Sequence, residues 1–298
     1  MGRSPIDWVP PGAWLTPGYA EWAPPAALQG AVACLWARVS PERAGQSDQS
    51  AQSGLVLPDA CSDLIWERGV GGYVAGPDTG PARPTIKPGT VIVGVRFRPS
   101  AGGQALKTPL SEIANQRVPL ADLLPPAARR LSPALDPAEA AGRVLDLVGG
   151  LIAESAPDRA MARAAVLLRD PAARAETVAA EVGLSERQFR RRSQAAAGYG
   201  PKTLQRVLRF HRFVRLLDAA PDPIPALGPT PAPAPGSAPL ARTRVPDRAH
   251  AGPSAPPHLA ALAAQAGYAD QAHLTRECSA LSGFTPAALA RVRRTRQG

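Results

Sequence analysis

Apolar residues fall in short, broken runs over the first hundred positions of this chain and in helical periods thereafter. Residues 31–39, 55–57, 63–66 and 91–97 are β-like stretches set among clusters of Pro and Gly. Such runs, bounded by turn residues, predict a small, mostly β domain in which Val91-Ile92-Val93-Gly94-Val95-Arg96-Phe97 is the clearest strand. From Pro109 the period lengthens. Residues 110–115, 120–131 and 137–154 carry apolar side chains at helical spacing, with Asp136 placed as a cap and Pro137 at the first helical position. Pro157 marks a boundary, and a helix over 158–169 leads into the C-terminal part.

That part contains an internal repeat. Ala179, Gly183, Gly198 and Pro201 are matched by Ala263, Gly267, Gly283 and Pro286. A small residue, three spacers and a glycine is how a helix-turn-helix brings two helices together at a steep angle. In the first copy 178–182 reads as a short helix, Gly183 as the turn, Ser185 as an N-cap and 186–197 as the second helix. In the second copy the same grammar gives a helix over 262–266, a turn at Gly267, a cap at Asp270 and a helix over 271–281. Between the copies lies the most strongly patterned helix, with Leu204, Val207, Leu208, Phe210, Val214 and Leu217 alternating with Arg206, Arg209, Arg212 and Arg215. At about 1.5 Å per residue it spans roughly 25 Å, a length suited to holding two DNA-reading units along one duplex. The pattern then collapses: residues 219–257 include 12 prolines, a composition that predicts an extended, disordered insertion.

The fold class expected is therefore α+β, with a small mostly-β N-terminal domain and helical extension over 1–155. An all-α tandem helix-turn-helix domain follows over 158–294, interrupted by the insertion. Charge divides the chain the same way. Residues 1–160 carry a net charge of −1 and residues 161–298 a net charge of +11, so all the excess positive charge lies with the repeat. A polyanion is the partner this implies, double-stranded DNA above all, with affinity that falls steeply as salt rises.

Enzymatic chemistry is poorly served. The first 200 residues contain no histidine, and there is no G-x-S-x-G, P-loop or dinucleotide fingerprint, so no enzyme and no cofactor are expected. Cys34, Cys61 and Cys278 are far apart and in no C-x-x-C arrangement, and His250 and His258 lack acidic or thiol company, so no metal site is expected. The N-terminus has no apolar signal region and no run approaches the roughly 18 apolar residues of a membrane helix, which predicts a cytoplasmic chain with no membrane partner.

The C-terminal half resembles the AraC/XylS type of bacterial transcription regulators. The resemblance rests on Val-Gly-Leu-Ser-Glu-Arg-Gln-Phe-Arg-Arg in the first unit and Ala-Gly-Tyr-Ala-Asp-Gln-Ala-His-Leu-Thr-Arg-Glu in the second, followed by Ser-Gly-Phe-Thr-Pro286. It implies seven helices that place two recognition helices in successive major-groove segments. The family's base-reading positions fall on Arg187, Arg190 and Arg191, and in the second unit on Gln271, Ala272, His273 and Arg276. Arg192, Lys202, Arg209 and Thr275 are candidates for backbone contacts. Arginine bonds both acceptors of a guanine edge, so three on one helix suggest a G-rich half-site. Where the family carries a large apolar residue inside each recognition helix this chain has Ser193 and Cys278, which is expected to cost about 1 kcal/mol or more per site. The N-terminal half resembles, less specifically, a domain of unknown activity found ahead of this module in some regulators, through residues 56–66, Gly-Pro77 and 93–99.

The resemblance makes the chain a regulator, activator or repressor, with RNA polymerase, a small-molecule effector and a second copy of the chain as further candidate partners. All five tryptophans lie in the N-terminal half. Trp36 and Trp66, with Asp59 and Asp63 flanking Cys61, are the candidate ligand site there, although aromatics in a small β domain are more often core and such aspartates more often cap turns. Two alternatives stay open: a nucleoid-type protein without sequence preference, and a cysteine-based sensor of alkylation or oxidation built on Cys34 and Cys61.

Overall fold

A computed structural model describes residues 18–41, 55–219 and 257–294. The expected insertion falls largely outside them; its first residue, Ala219, ends one helix and its last, Pro257, begins another. The α+β expectation holds.

The N-terminal half is built on an antiparallel sheet of β1 (Gly18–Trp22), β2 (Val32–Val39), β3 (Ser62–Glu67), β4 (Gly71–Ala75), β5 (Val91–Phe97) and β6 (Arg117–Pro119), in the order β1-β2-β5-β3-β4-β6. Strand alternation divides its side chains between two faces. Leu35, Ala37, Leu64, Trp66, Val93, Val95 and Phe97 point to one face and join the main core. Cys34, Trp36, Ile65, Ala75 and Ile92 point to the other, closed by Ile86 from the loop before β5. Trp36 pairs with Gly94 across β2 and β5, and a Cβ at Gly94 would lie 2.4 Å from the indole, so only glycine lets that ring lie over the strand.

Between β5 and β6 sit a short α1 (Gly102–Ala105) and a 3-10 turn, Leu110–Glu112. The helix expected over 120–131 is split into α2 (Leu120–Leu123) and α3 (Pro125–Ala128). Pro125 supplies no N–H and disfavours a helical backbone at Leu124, which takes φ −137°. Residues 55–57 form only the isolated bridge Val56↔Ala82 rather than a strand, and β1, β4 and β6 were not expected. The long α4 (Pro137–Glu154) covers the main face of the sheet with Ala140, Ala141, Val144, Leu145, Leu147, Val148 and Leu151. Its N-terminus forms as expected, the Asp136 carboxylate accepting the Ala138 N–H at 2.9 Å.

The C-terminal half contains α5 (Arg159–Leu167), α6 (Ala175–Glu181), α7 (Glu186–Ala197), α8 (Pro201–Ala219), α9 (Pro257–Ala266), α10 (Gln271–Ser282) and α11 (Pro286–Arg294). Leu204, Val207, Phe210, Phe213 and Val214 of α8 are buried in one core with Phe189 of the first unit and Leu262, Leu274, Leu281 and Leu289 of the second. The connecting helix is thus the shared spine of both units. Leu55, Leu57 and Ala60 of the N-terminal half join this same core, so the two halves are packed together rather than merely linked.

Candidate nucleic-acid interface

The first unit is set by local bonds. Gly183 turns the chain at φ +70°, and the Leu184 N–H reaches back to the Ala179 carbonyl at 2.9 Å. Ser185 then caps α7 in a reciprocal box: its hydroxyl accepts the Gln188 N–H at 3.3 Å while the Gln188 Oε1 accepts the Ser185 N–H at 3.0 Å. Phe189, Ser193, Ala196 and Ala197 bury the inner stripe. The outer stripe carries Arg187, Arg190 and Arg191, all exposed, and none has an ion pair among the described residues. Arg192 is turned aside, 3.5 Å from the Asp158 carboxylate that caps α5. Lys202 is exposed on the first turn of α8.

The second unit repeats the turn bond for bond. Gly267 has φ +90°, the Tyr268 N–H reaches the Ala263 carbonyl at 2.9 Å, and Asp270 caps α10 by accepting the His273 N–H at 2.6 Å. Gly198 and Gly283 end α7 and α10 in the same left-handed conformation, φ +80° and +74°. The outward chemistry of α10 is thinner. Arg276 and Ala272 are exposed, Gln271 and His273 partly so. The His273 ring meets Tyr268 edge-on, and the Thr275 hydroxyl donates to the Gln271 carbonyl at 2.8 Å. Cys278 is fully buried, as is Ser193, whose hydroxyl donates to the Tyr199 carbonyl at 2.7 Å.

Arg209 is half-buried: its guanidinium lies 5.8 Å from the Tyr268 ring centre of the second unit and its Nε is buried without a hydrogen-bond partner. Arg206 beside it pairs with Glu277 of α10. These two arginines hold the spine to the second unit.

The candidate ligand site in the sheet domain is also rearranged. Trp36 and Trp66 lie on opposite faces of the sheet, so they cannot line one pocket. The Trp66 indole donates to the Ser132 carbonyl at 2.8 Å in the main core. Asp59 and Asp63 do hold a cation, but it is Arg96 of the same chain, whose Nε lies 3.4 and 3.1 Å from their carboxylates while Nη1 lies 3.3 Å from Glu21. The Trp36 indole adds a 2.7 Å hydrogen bond to Asp63. Burial pushes the Asp63 carboxyl above its usual range, against the pull of Arg96. Burial also works against the charge of Arg96, but Asp63 and Asp59 outweigh it and keep the guanidinium protonated. The carboxylates are thus compensated within the fold, by a lone arginine inside the clearest apolar strand.

Burial pushes the Cys34 thiol up to about 12 and the Cys61 thiol well above its ordinary value, the latter helped by Asp59. Both stay protonated near neutral pH, which opposes the thiolate that a cysteine-based sensor requires. Among the described residues no helix is long and apolar enough to cross a membrane.

No curated protein matches the chain. Among solved structures, ToxT from Vibrio cholerae O395 is similar at a TM-score of 0.38 and 10% identity, over 79% of this chain and 92% of that one. The apo form of a ToxT variant from Vibrio cholerae strain SCE256 gives 0.40 and 9%, over 86% and 96%. Residues 20–119 match the family described as a domain of unknown function, DUF6597, a span that runs from within β1 to the end of β6 and so coincides with the sheet.

Proposed function

We propose that this protein is a sequence-specific DNA-binding transcription regulator, not an enzyme, which reads adjacent major-groove segments with α7 and α10. The observation that carries the reading is the paired construction of these helices: two turns closed by equivalent hydrogen bonds, the first presenting three uncompensated arginines on its outer stripe. An arginine aimed at a guanine edge makes two hydrogen bonds, each good bidentate pair being worth about 1–3 kcal/mol of discrimination. The AraC/XylS-type motifs of both units support the same assignment. Control by a signal at the sheet domain fits the packing of Leu55, Leu57 and Ala60 into the helical core, because a change in that domain alters contacts in the reading half.

Arg190→Ala tests the reading. It is expected to relax preference at one position of one half-site while leaving binding to unrelated duplexes nearly unchanged. Equal loss on every sequence would sink the assignment in favour of a nonspecific DNA binder.

A further inference from the structure

A cleft of about 310 Å³ lies between α8 and the turn that ends α5, lined by Arg169, Leu208, Arg212, Arg215 and Leu216. Leu208, Arg212 and Arg215 stand four and three residues apart, so they share one face of α8, and Arg169 closes the cleft from the other element. Elsewhere in this half Arg163, Arg192, Arg206 and Arg293 each meet a carboxylate, from Glu181, Asp158, Glu277 and Asp218. The three arginines of the cleft meet none among the described residues. The neighbouring acid, Asp170, accepts the Ala172 N–H at 2.9 Å and forms no ion pair with the cleft arginines among the described residues.

Three arginines lining one cleft over a leucine floor add their positive charge there and attract an anion; Arg169 and Arg215 are exposed and Arg212 half-buried, so that attraction weakens as salt rises. Planar forked donors match phosphate oxygens best. We propose that this cleft binds a phosphate group. Two sources share that chemistry: a backbone phosphate of the duplex, which rests on the reading of the protein as a DNA binder, and a small phosphorylated molecule, which does not.

Full-length protein and the variants Arg212→Gln/Arg215→Gln and Arg169→Gln would be compared in two assays. The first is retention of a random duplex across a salt series, and the second is thermal melting with inorganic pyrophosphate at millimolar concentration. A duplex affinity lowered about tenfold in the double variant, with a salt slope shallower by about one to two, would assign the backbone phosphate. A pyrophosphate-induced rise in melting temperature that the variants lose would assign a free phosphorylated ligand. Variants that melt like the parent without ligand and match it in both assays would overturn the proposal, while duplex binding by the parent would leave the DNA-binding reading standing. If the parent retains no duplex, that reading fails, and the pyrophosphate assay alone decides the cleft.

Discussion

The Tyr199 hydroxyl donates to the Asp78 carbonyl at 2.6 Å, tying the turn that ends α7 to the loop that follows β4. Both ends of this bond are themselves held. The Asp78 carboxylate takes two hydrogen bonds from Arg117 of edge strand β6, at 3.1 and 2.7 Å, and the Tyr199 carbonyl accepts from Ser193 inside α7. A run of hydrogen bonds therefore joins the sheet edge to α7. Tyr199→Phe, which removes one link and keeps the packing, is expected to lower stability by about 1 kcal/mol, read as a shifted urea midpoint at unchanged slope.

The two halves also meet without a gap at Gly103, where a Cβ would lie 2.3 Å from the Ala195 carbonyl oxygen of α7. Gly103→Ala must push α1 and α7 apart, and a loss of roughly 1–3 kcal/mol is expected, as for other overpacked sites. Gly142→Ala is the matching control. It lies within α4 with nothing within 4 Å of the added carbon, so it should stabilise by about 0.5–1 kcal/mol through helix propensity. Faster amide exchange along the C-terminal turns of α7 in Gly103→Ala alone would confirm where the strain falls.

Arg96 anchors the buried charges of the sheet domain. Arg96→Met would leave Asp63, Asp59 and Glu21 without their cation, and because the cluster is only partly shielded the cost is expected near the low end of the roughly 3–5 kcal/mol seen for broken buried pairs. The pH dependence follows from Asp63. Its folded carboxyl already lies above its usual value and would rise further without Arg96, so the folded state would hold a proton that the unfolded chain releases above roughly pH 4. The variant should therefore lose stability as pH rises from about 4 to 7, measured by urea unfolding at each pH.

His211 on α8 gives the opposite acid response. Burial lowers its affinity for a proton, with Arg215 adding to the effect against the pull of Asp59. The folded state keeps the ring neutral while the unfolded chain takes up a proton near roughly pH 6.5. Stability is thus full above that value and declines as pH falls through it towards the lower folded value. His211→Gln should flatten this part of the profile, and an unchanged acid limb in the variant would place the sensitivity elsewhere.

The helices of the C-terminal half were legible because their signals are local. Ser185 and Asp270 cap where the sequence places them, Gly183 and Gly267 turn where the repeat requires, and 186–197 forms without a shift in either boundary. The proline break in the expected helix 120–131 is equally local, since Pro125 and Pro126 interrupt its apolar period. The strands were harder. β4 opens with Gly71-Gly72 and β6 is Arg117-Val118-Pro119, neither of which shows an alternating pattern, and their pairing is decided by partners far along the chain, such as Tyr73 with Pro119. The same holds for the candidate ligand site. Asp59 and Asp63 were recognisable as an acidic pair, but their cation comes from Arg96, on the strand paired beside β3. Arg209 shows the same dependence on partners far along the chain: helical spacing places it among the basic residues of α8, and only the fold brings Tyr268 within 5.8 Å of its guanidinium.

Selection of bound sequences from a random duplex library at near-physiological salt tests the central claim most directly. The paired units predict a two-part motif with fixed spacing, in which the half read by α7 is rich in guanine and is lost when Arg187, Arg190 and Arg191 are replaced by alanine. Salt-sensitive retention with no enriched motif, unchanged by those substitutions, would contradict it.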